Sequence, residues 1–237
     1  MTQLRGVIGL LLAVPLWAGA QDGPQLMDNR VFYRILLDEL EMTGGGGQQG
    51  AGWDGQAWVG TDTRRLWIKT EGERGAGGHD AAQLQLLYSH AIAPYWDLQA
   101  GLRRDFDPQP GGDWAVLSVQ GLAPYFFEVE AELFIGRAGQ TGLRLEADYE
   151  LLITQRLILT PHLELEVFGE DDRRRGIGSG ASGLEFGARL RYEIRREFAP
   201  YIGLRGIRKL GRTAQFAQNA GEDKRAVEYL AGLRFWF

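Results

Sequence analysis

The sequence of 237 residues has no cysteine, only three methionines and only three histidines. Without cysteine, an exported protein has no disulfide to stabilise it. No stretch approaches the ~20 continuous apolar residues that a membrane-spanning helix requires. The chain also has no excess of basic residues. Its formal net charge of -5 argues against nucleic acid as a partner.

A short apolar run lies at the amino end. Arg5 precedes the apolar run Val7 to Trp17, and Ala18-Gly19-Ala20 supplies small residues for cleavage. This is the three-part pattern of a secretory signal peptide, and a membrane anchor is the disfavoured alternative because no stop-transfer flank follows. We therefore expect a signal peptide at residues 1–20, a short periplasmic lead at 21–27 and one folded domain at 28–237.

Alternation of apolar and polar residues runs through this domain. The last stretch, Ala226 to Phe237, is apolar at every second position and ends on an aromatic residue. Such a period of two predicts a β-strand with one apolar and one polar face. The same pattern predicts twelve strands, at 29–42, 52–60, 64–72, 81–92, 95–105, 113–121, 125–136, 141–151, 156–168, 183–195, 200–210 and 226–237.

The connections between these strands alternate in length. One set is long and rich in Gly, Asp and Arg, and includes Thr43–Ala51, Gly169–Ser182 and Gly211–Arg225. The other set consists of tight turns, such as those at Ala93-Pro94 and Ala123-Pro124. Short periplasmic turns opposite longer outer loops are typical of outer-membrane barrels. The fold class predicted is all-β, a closed antiparallel transmembrane β-barrel in the outer membrane of a Gram-negative cell.

Two partners follow from this fold. The apolar face of each strand is expected to contact outer-membrane lipid, because a charge there costs about 2–4 kcal/mol near the midplane. The terminal Phe237 is expected to be read by the barrel-assembly machinery. The repeat Ala-Pro-Tyr at residues 93–95, 123–125 and 199–201 is expected to open strands at one rim. Its tyrosines are predicted to join an interfacial aromatic belt.

The polar faces carry a strong charge pattern. Strands seven to nine are predicted to present an acidic wall to the barrel interior, with basic residues on strands ten to twelve. The acidic set is Glu128, Glu130, Glu132, Glu146, Asp148, Glu150, Glu164 and Glu166, and the basic set is Arg189, Arg191, Arg195, Arg205 and Arg234. Either these charges pair across a narrow lumen and plug it, or the acidic wall attracts cations.

Three candidate metal positions stand out. His162, Glu164 and Glu166 offer a borderline ligand set for a divalent transition-metal ion, since imidazole and carboxylate are suitable donors. His79-Asp80 lies on a predicted outer loop and His90 near the periplasmic rim. The alternative for each histidine is simple solvation or a hydrogen bond within the protein.

Several long stretches resemble the copper resistance protein B family. They include Gly52–Gly60, Leu87–Gly101, Gln120–Ala131, Leu143–Leu159 and Asp171–Gly180, and the resemblance extends over nearly all of residues 28–237. It implies an outer-membrane barrel that handles copper ions, with a periplasmic copper protein as a further partner. Members of that family usually carry a Met- and His-rich segment before the barrel. Here the segment at residues 21–27 has no histidine, and Met27 is its one methionine. Tight copper storage is therefore not expected.

Other function classes have less support. An outer-membrane phospholipase needs Ser and His together, but Ser179 and Ser182 lie in a predicted outer loop while His162 points inward. We therefore expect no enzymatic activity. A general small porin and a structural barrel with a plugged lumen remain the alternatives to copper handling.

Overall fold

A computed structural model describes residues 30–45, 48–74, 80–107 and 111–237. The predicted signal peptide, the lead at 21–27 and His79 lie outside the described residues. Twelve principal strands form a single sheet. They are β1 Phe32–Gly45, β2 Gln48–Gly60, β3 Arg64–Arg74, β4 Asp80–Ala93, β5 Trp96–Asp107, β6 Asp113–Ala123, β7 Phe127–Gly136, β8 Thr141–Tyr149, β9 Leu157–Phe168, β10 Gly180–Tyr192, β11 Phe198–Lys209 and β12 Arg225–Trp236.

The sheet closes on itself. Each strand pairs antiparallel with its neighbours in sequence, and β12 pairs with β1 through Leu36↔Trp236 to Gly44↔Tyr229. Backbone hydrogen bonds between Ile35 and Phe237 extend this closing ladder at 3.0 and 2.9 Å. Closure leaves no unpaired sheet edge, as a sheet in lipid requires. The prediction of a closed twelve-stranded barrel is confirmed.

Several outer connections differ from the sequence prediction. Thr43–Ala51 was expected to be a long loop, but β1 continues to Gly45 and β2 begins at Gln48. Glycine lacks a side chain to pack, yet its backbone continues the hydrogen-bonded ladder, so a glycine run does not by itself end a strand. A short continuation of β8 at Leu151–Leu152 also pairs with β9.

The last outer connection contains a helix that the strand pattern did not predict. Helix α1, Gly211–Ala220, lies between β11 and β12 and contacts both β10 and β11. Gly221 ends it in the left-handed conformation, with φ of 77°. Ser182, expected in a loop, instead lies in β10 and hydrogen-bonds Thr213 of α1 at 2.7 Å. Among the described residues, no helix is both long and apolar enough to cross a membrane.

The aromatic rim is only partly as predicted. Tyr95 and Tyr125 follow Ala-Pro turns and are 77% and 83% exposed, as residues of an interfacial belt should be. The third repeat differs, because Pro200 and Tyr201 lie inside β11. The Tyr201 side chain is buried and donates a hydrogen bond to Glu41 at 2.9 Å. The prediction that Tyr201 joins the belt is therefore wrong.

Strand alternation separates a lipid face from a lumen face. In β4, Leu84, Leu86 and Tyr88 are exposed on the outside, while Gln85 and Leu87 are buried inside. Since the side-chain period of a strand is two, this parity continues along each strand and places most charged residues of the strands inside the barrel.

Candidate functional site in the barrel lumen

The lumen contains two cavities, one above the other. The larger, of about 730 Å³, opens among the short turns that mark the periplasmic end, and we name it the periplasmic vestibule. The smaller, of about 340 Å³, lies toward the outer loops, and we name it the outer cavity. Both are lined by Glu71, Arg144, Glu146 and His162, so these side chains mark the level at which the two cavities meet.

The vestibule is strongly acidic. Eleven carboxylates line it against three basic side chains, and His162 also lines it. The carboxylates are those of Asp38, Glu39, Asp54, Asp62, Glu71, Asp97, Glu128, Glu130, Glu132, Glu146 and Asp148, and the bases are Arg65, Lys69 and Arg144. A low-dielectric wall around like charges concentrates their field on the aqueous cavity, so this end of the barrel favours cations.

Arg144 of β8 lies between the two cavities. Its guanidinium is 3.0 Å from Glu71, on the far wall, and within 4.0 Å of four further carboxylates. These are Glu132, Glu146, Glu164 and Glu166. We name Arg144 and these five carboxylates the Arg144 layer. Lys69 of β3 reaches Glu130 of β7 beside it, so two cations tie the acidic wall to the opposite strand.

A second group of ion pairs lies around Arg205 of β11. Its guanidinium contacts Glu73 of β3 and Glu228 of β12, the latter at 2.6 Å. Arg189 of β10 binds Glu39 of β1 at 2.7 Å and Glu41 at 3.4 Å. The contacts to Glu73, Glu39 and Glu41 join strands that are not neighbours in the barrel, so they also cross the lumen, whereas Glu228 is the register partner of Arg205 on the adjacent strand.

Most other predicted lumen charges lie at the periplasmic end. Glu150 accepts from Arg191 at 2.6 Å and lies 3.6 Å from Arg234. Glu128 is exposed at the vestibule mouth. Arg195 differs from the prediction: β10 ends at Tyr192, and Arg195 is exposed in the following turn rather than directed inward. The strand ends there because the backbone turns back through the Arg195–Phe198 bridge.

The candidate metal ligands are not brought together. His162 Nδ1 lies 2.9 Å from Asp148 Oδ1, whereas Glu164 and Glu166 are directed to Arg144. His90 is exposed on the outward parity of β4, away from the lumen, and Asp80 begins that strand. Within the described ranges, no three His, Cys, Asp or Glu side chains are grouped to hold a metal ion. The donors present therefore do not fit a tight, preformed copper site.

Sequence reasoning missed the contribution of the first three strands. Lys69, Glu71 and Glu73 of β3 face the lumen and supply one cation and two carboxylates to the crossing ion pairs. Their spacing of two residues is the same signal that located the acidic wall, so it could have found them. Their partners could not be found in this way, since pairing across a lumen depends on barrel diameter.

Part of the lumen wall is uncharged. We name the inward faces of β4 and β6, together with Gln99 of β5, the neutral wall. Leu87 and Gln99 are fully buried there, and Ser118 donates to Gln99 at 3.2 Å. Leu87 also belongs to a buried cluster with Trp67, Trp114, Val116 and Phe134.

Comparison with known proteins now identifies the family. The family model described as "Copper resistance protein B precursor (CopB)" matches residues 31–237. Copper resistance protein B of Escherichia coli is 45% identical over 219 residues, which cover 92% of this chain and 74% of that protein. The chain belongs to the copper resistance protein B family. The copper resistance protein B homolog of Pseudomonas syringae pv. tomato (strain ATCC BAA-871 / DC3000) is 44% identical over 218 residues, with the same two shares covered.

Solved structures agree on the fold of this copper resistance protein B family member. NanC porin aligns with a TM-score of 0.58 at 12% identity, covering 86% of this chain and 99% of that one. KdgM porin aligns with a TM-score of 0.51, with the same identity and coverage. At such identities the likeness shows the barrel fold alone. Family and fold together place the chain in the outer membrane and connect it with copper resistance.

Proposed function

We propose that the barrel collects copper ions from the periplasm in its periplasmic vestibule and holds them weakly. The observation that carries this proposal is the excess of carboxylates over bases in a cavity open toward the short turns. Family membership supplies copper as the cation. A soluble periplasmic copper protein would be the donor, and no catalytic step is part of the proposal.

Two vestibule carboxylates are the best candidates for this role. Asp54 and Glu128 line the cavity, and within the part of the chain that the structure describes neither forms an ion pair with a basic side chain. Most neighbouring carboxylates are already neutralised, as Asp38 is by Arg234 and Asp97 by Arg65. A carboxylate without a basic partner is not already neutralised by a neighbouring cation, so it can interact with an incoming one.

His162 provides the one imidazole in the lumen among the described residues. It lies at the inner end of the vestibule, hydrogen-bonded to Asp148. A carboxylate bonded to one ring nitrogen orients the other nitrogen and raises its basicity, as it does for metal-binding histidines. Weak capture at several oxygen donors with one nitrogen donor suits an ion that must leave again.

Passage through the whole lumen would require the Arg144 layer to rearrange. Five carboxylates and one guanidinium occupy the level between the two cavities. Such a cluster favours the plugged barrel over a general small porin. We therefore propose that the barrel in this state binds copper in the vestibule without conducting it. Conduction would be a separate step that begins with rearrangement of the Arg144 layer.

The test is to remove the charges of Asp54 and Glu128. Asp54→Asn together with Glu128→Gln keeps side-chain size and should weaken Cu(II) association by about three- to tenfold at low salt. The loss should shrink as added salt shortens the screening length toward about 3 Å at 1 M. Titration of Cu(II) into the purified barrel, followed by calorimetry, measures both effects.

A matched control removes the same charge elsewhere. Glu170→Gln with Asp223→Asn neutralises two exposed loop carboxylates outside the lumen, and it should leave Cu(II) association unchanged. If His162→Gln abolishes binding while the vestibule pair has no effect, a discrete histidine site replaces the electrostatic mechanism. If neither change alters binding, the vestibule is not where copper is held.

A further inference from the structure

Two arginines stand opposite each other on the outer surface of the barrel. Arg208 of β11 pairs in register with Arg225 of β12, close to the outer ends of these strands. Arg205 and Glu228 on the same strands point into the lumen, where they bind each other. Arg208 and Arg225 have the opposite parity, and both are exposed. Their guanidinium groups therefore lie on the lipid-facing side.

This pair is unfavourable as it stands. Side chains directly opposite on one face of an antiparallel pair have Cβ atoms about 4.5–5.5 Å apart, and like charges there destabilise the sheet. Within the described residues, neither arginine forms an ion pair with a carboxylate. The segment between the two strands contains Glu222 and Asp223, but Glu222 binds Lys209 at 2.7 Å.

An apolar surface continues from the pair toward the middle of the membrane. The next register pairs on the same face are Gly206↔Val227 and Leu204↔Tyr229. Val227, Tyr229 and Leu204 are 63%, 69% and 51% exposed. The surface thus offers two positive charges at the outer boundary and a hydrocarbon-compatible strip directly below them.

We propose that Arg208 and Arg225 bind the phosphate group of an outer-leaflet lipid, whose acyl chains lie along Leu204, Val227 and Tyr229. A guanidinium matches phosphate oxygens with two parallel hydrogen bonds, and one phosphate between two arginines removes their mutual repulsion. The occupant is a phosphorylated lipid rather than free phosphate, because the strip below the arginines needs an apolar partner. This site is independent of copper.

The experiment compares lipids with and without a phosphate group. The full chain, purified in an uncharged detergent, is offered phosphatidic acid, diacylglycerol with the same acyl chains, or inorganic phosphate. Native mass spectrometry should show that the wild type retains phosphatidic acid about tenfold better than the double variant Arg208→Gln, Arg225→Gln. Diacylglycerol should be retained equally by both.

Thermal unfolding gives a second readout, because the difference in melting temperature between the double variant and the wild type should change sign when phosphatidic acid is added. In uncharged detergent the double variant should melt about 1–3 °C above the wild type, because the like-charge repulsion is gone. With phosphatidic acid present, the wild type should melt higher. A simple loss of folding in the variant would lower its melting temperature in both conditions and would contradict the proposal.

Arg104→Gln is the matched control. Arg104 is also an exposed arginine near the outer end of a strand, but it has a carboxylate partner, Asp113, at 3.6 Å. This variant should retain phosphatidic acid as the wild type does. Equal loss in Arg104→Gln would indicate general surface charge, and equal protection of the wild type by inorganic phosphate would indicate a plain anion site. Either result overturns a lipid site at Arg208 and Arg225.

Discussion

The side chains of the neutral wall and those of the acidic wall find their interaction partners in different places. In the neutral wall, Ser118 finds its partner Gln99 on the adjacent strand, and Leu87 packs against neighbouring aromatic rings. In the acidic wall, Glu130 is bound by a lysine from β3, four strands away. Apolar packing is non-directional and can be completed by neighbouring side chains. A buried charge needs an opposite charge, and its partner can come from a distant strand.

The two walls therefore differ in what they contribute to the lumen, one by packing and the other by charge. The neutral wall completes most of its packing within itself, although Gln83 also donates to Glu71 and Gln120 accepts from Lys69. The acidic wall pairs with Lys69 of the opposite strand β3 and with Arg144 of its own strand β8, and Arg144 in turn contacts Glu71 across the lumen. Variants in the two walls should therefore differ in the size of their effect and in what they do to conduction.

The largest effect is expected from Arg144→Met. Five carboxylates would lose their shared cation, and removing one partner of a buried ion pair costs about 3–5 kcal/mol of unfolding free energy. The Arg144 side chain is 8% exposed, so water would compensate little. Urea unfolding in detergent measures the loss, and single-channel recording in planar bilayers should show increased conductance because the layer no longer spans the lumen.

Arg137→Met is the control for that variant. Arg137 pairs with Asp113 at 2.6 Å, but its side chain is 84% exposed on an outer connection. Its removal should cost no more than about 1 kcal/mol and leave conductance unchanged. Similar losses in both variants would mean that the acidic wall does not depend on Arg144.

The next effect is expected from Leu87→Ala in the neutral wall. Removing a fully buried leucine from a packed cluster should cost about 2–4 kcal/mol. Conductance should stay low, because the charged side chains that cross the lumen remain. Leu86→Ala, one residue away on the lipid face, should cost clearly less in the same urea unfolding experiment. A large conductance increase in Leu87→Ala would show that the neutral wall, too, closes the lumen.

The smallest effect is expected outside the lumen, at Asp171 in the outer connection between β9 and β10. The backbone N–H of Ser179 donates to its carboxylate at 2.8 Å, which lowers the pKa of Asp171 below its usual value, and Arg212 of α1 lies 2.6 Å away. Because the folded pKa is lowered, this contact stabilises the loop above the ordinary carboxyl pKa of about 4 and is lost as pH falls through the lowered value.

NMR titration of the Ser179 amide measures this contact. In the wild type its chemical shift should stay constant at neutral pH and change only at acid pH, whereas Asp171→Asn should abolish the titration. Glu170→Gln, a neighbouring exposed carboxylate, should leave it intact. A midpoint above the ordinary carboxyl value would show that the hydrogen bond to Ser179 is not maintained in solution.

The sequence by itself determined the number of strands, their faces and the closure of the barrel. Alternation at period two, seen in Leu84, Leu86 and Tyr88 against Gln85 and Leu87, requires no knowledge of distant contacts, since each strand shows its own two faces. An even strand count makes the first and last strands run in opposite directions, so that the terminal strand can pair antiparallel with β1. The acidic residues of β7 to β9 were likewise visible as alternating positions.

Only the tertiary structure decided which of those charges remain available to a cation. Glu130, Glu146 and Glu164 looked equivalent to Glu128 in the sequence, yet the first three lie beside Lys69 or Arg144, while Glu128 has no basic partner among the described residues. Helix α1 and the inward position of Tyr201 were also decided at this level. The physical reason is that strand parity is a local property, whereas partners across a lumen are set by barrel closure, stagger and diameter.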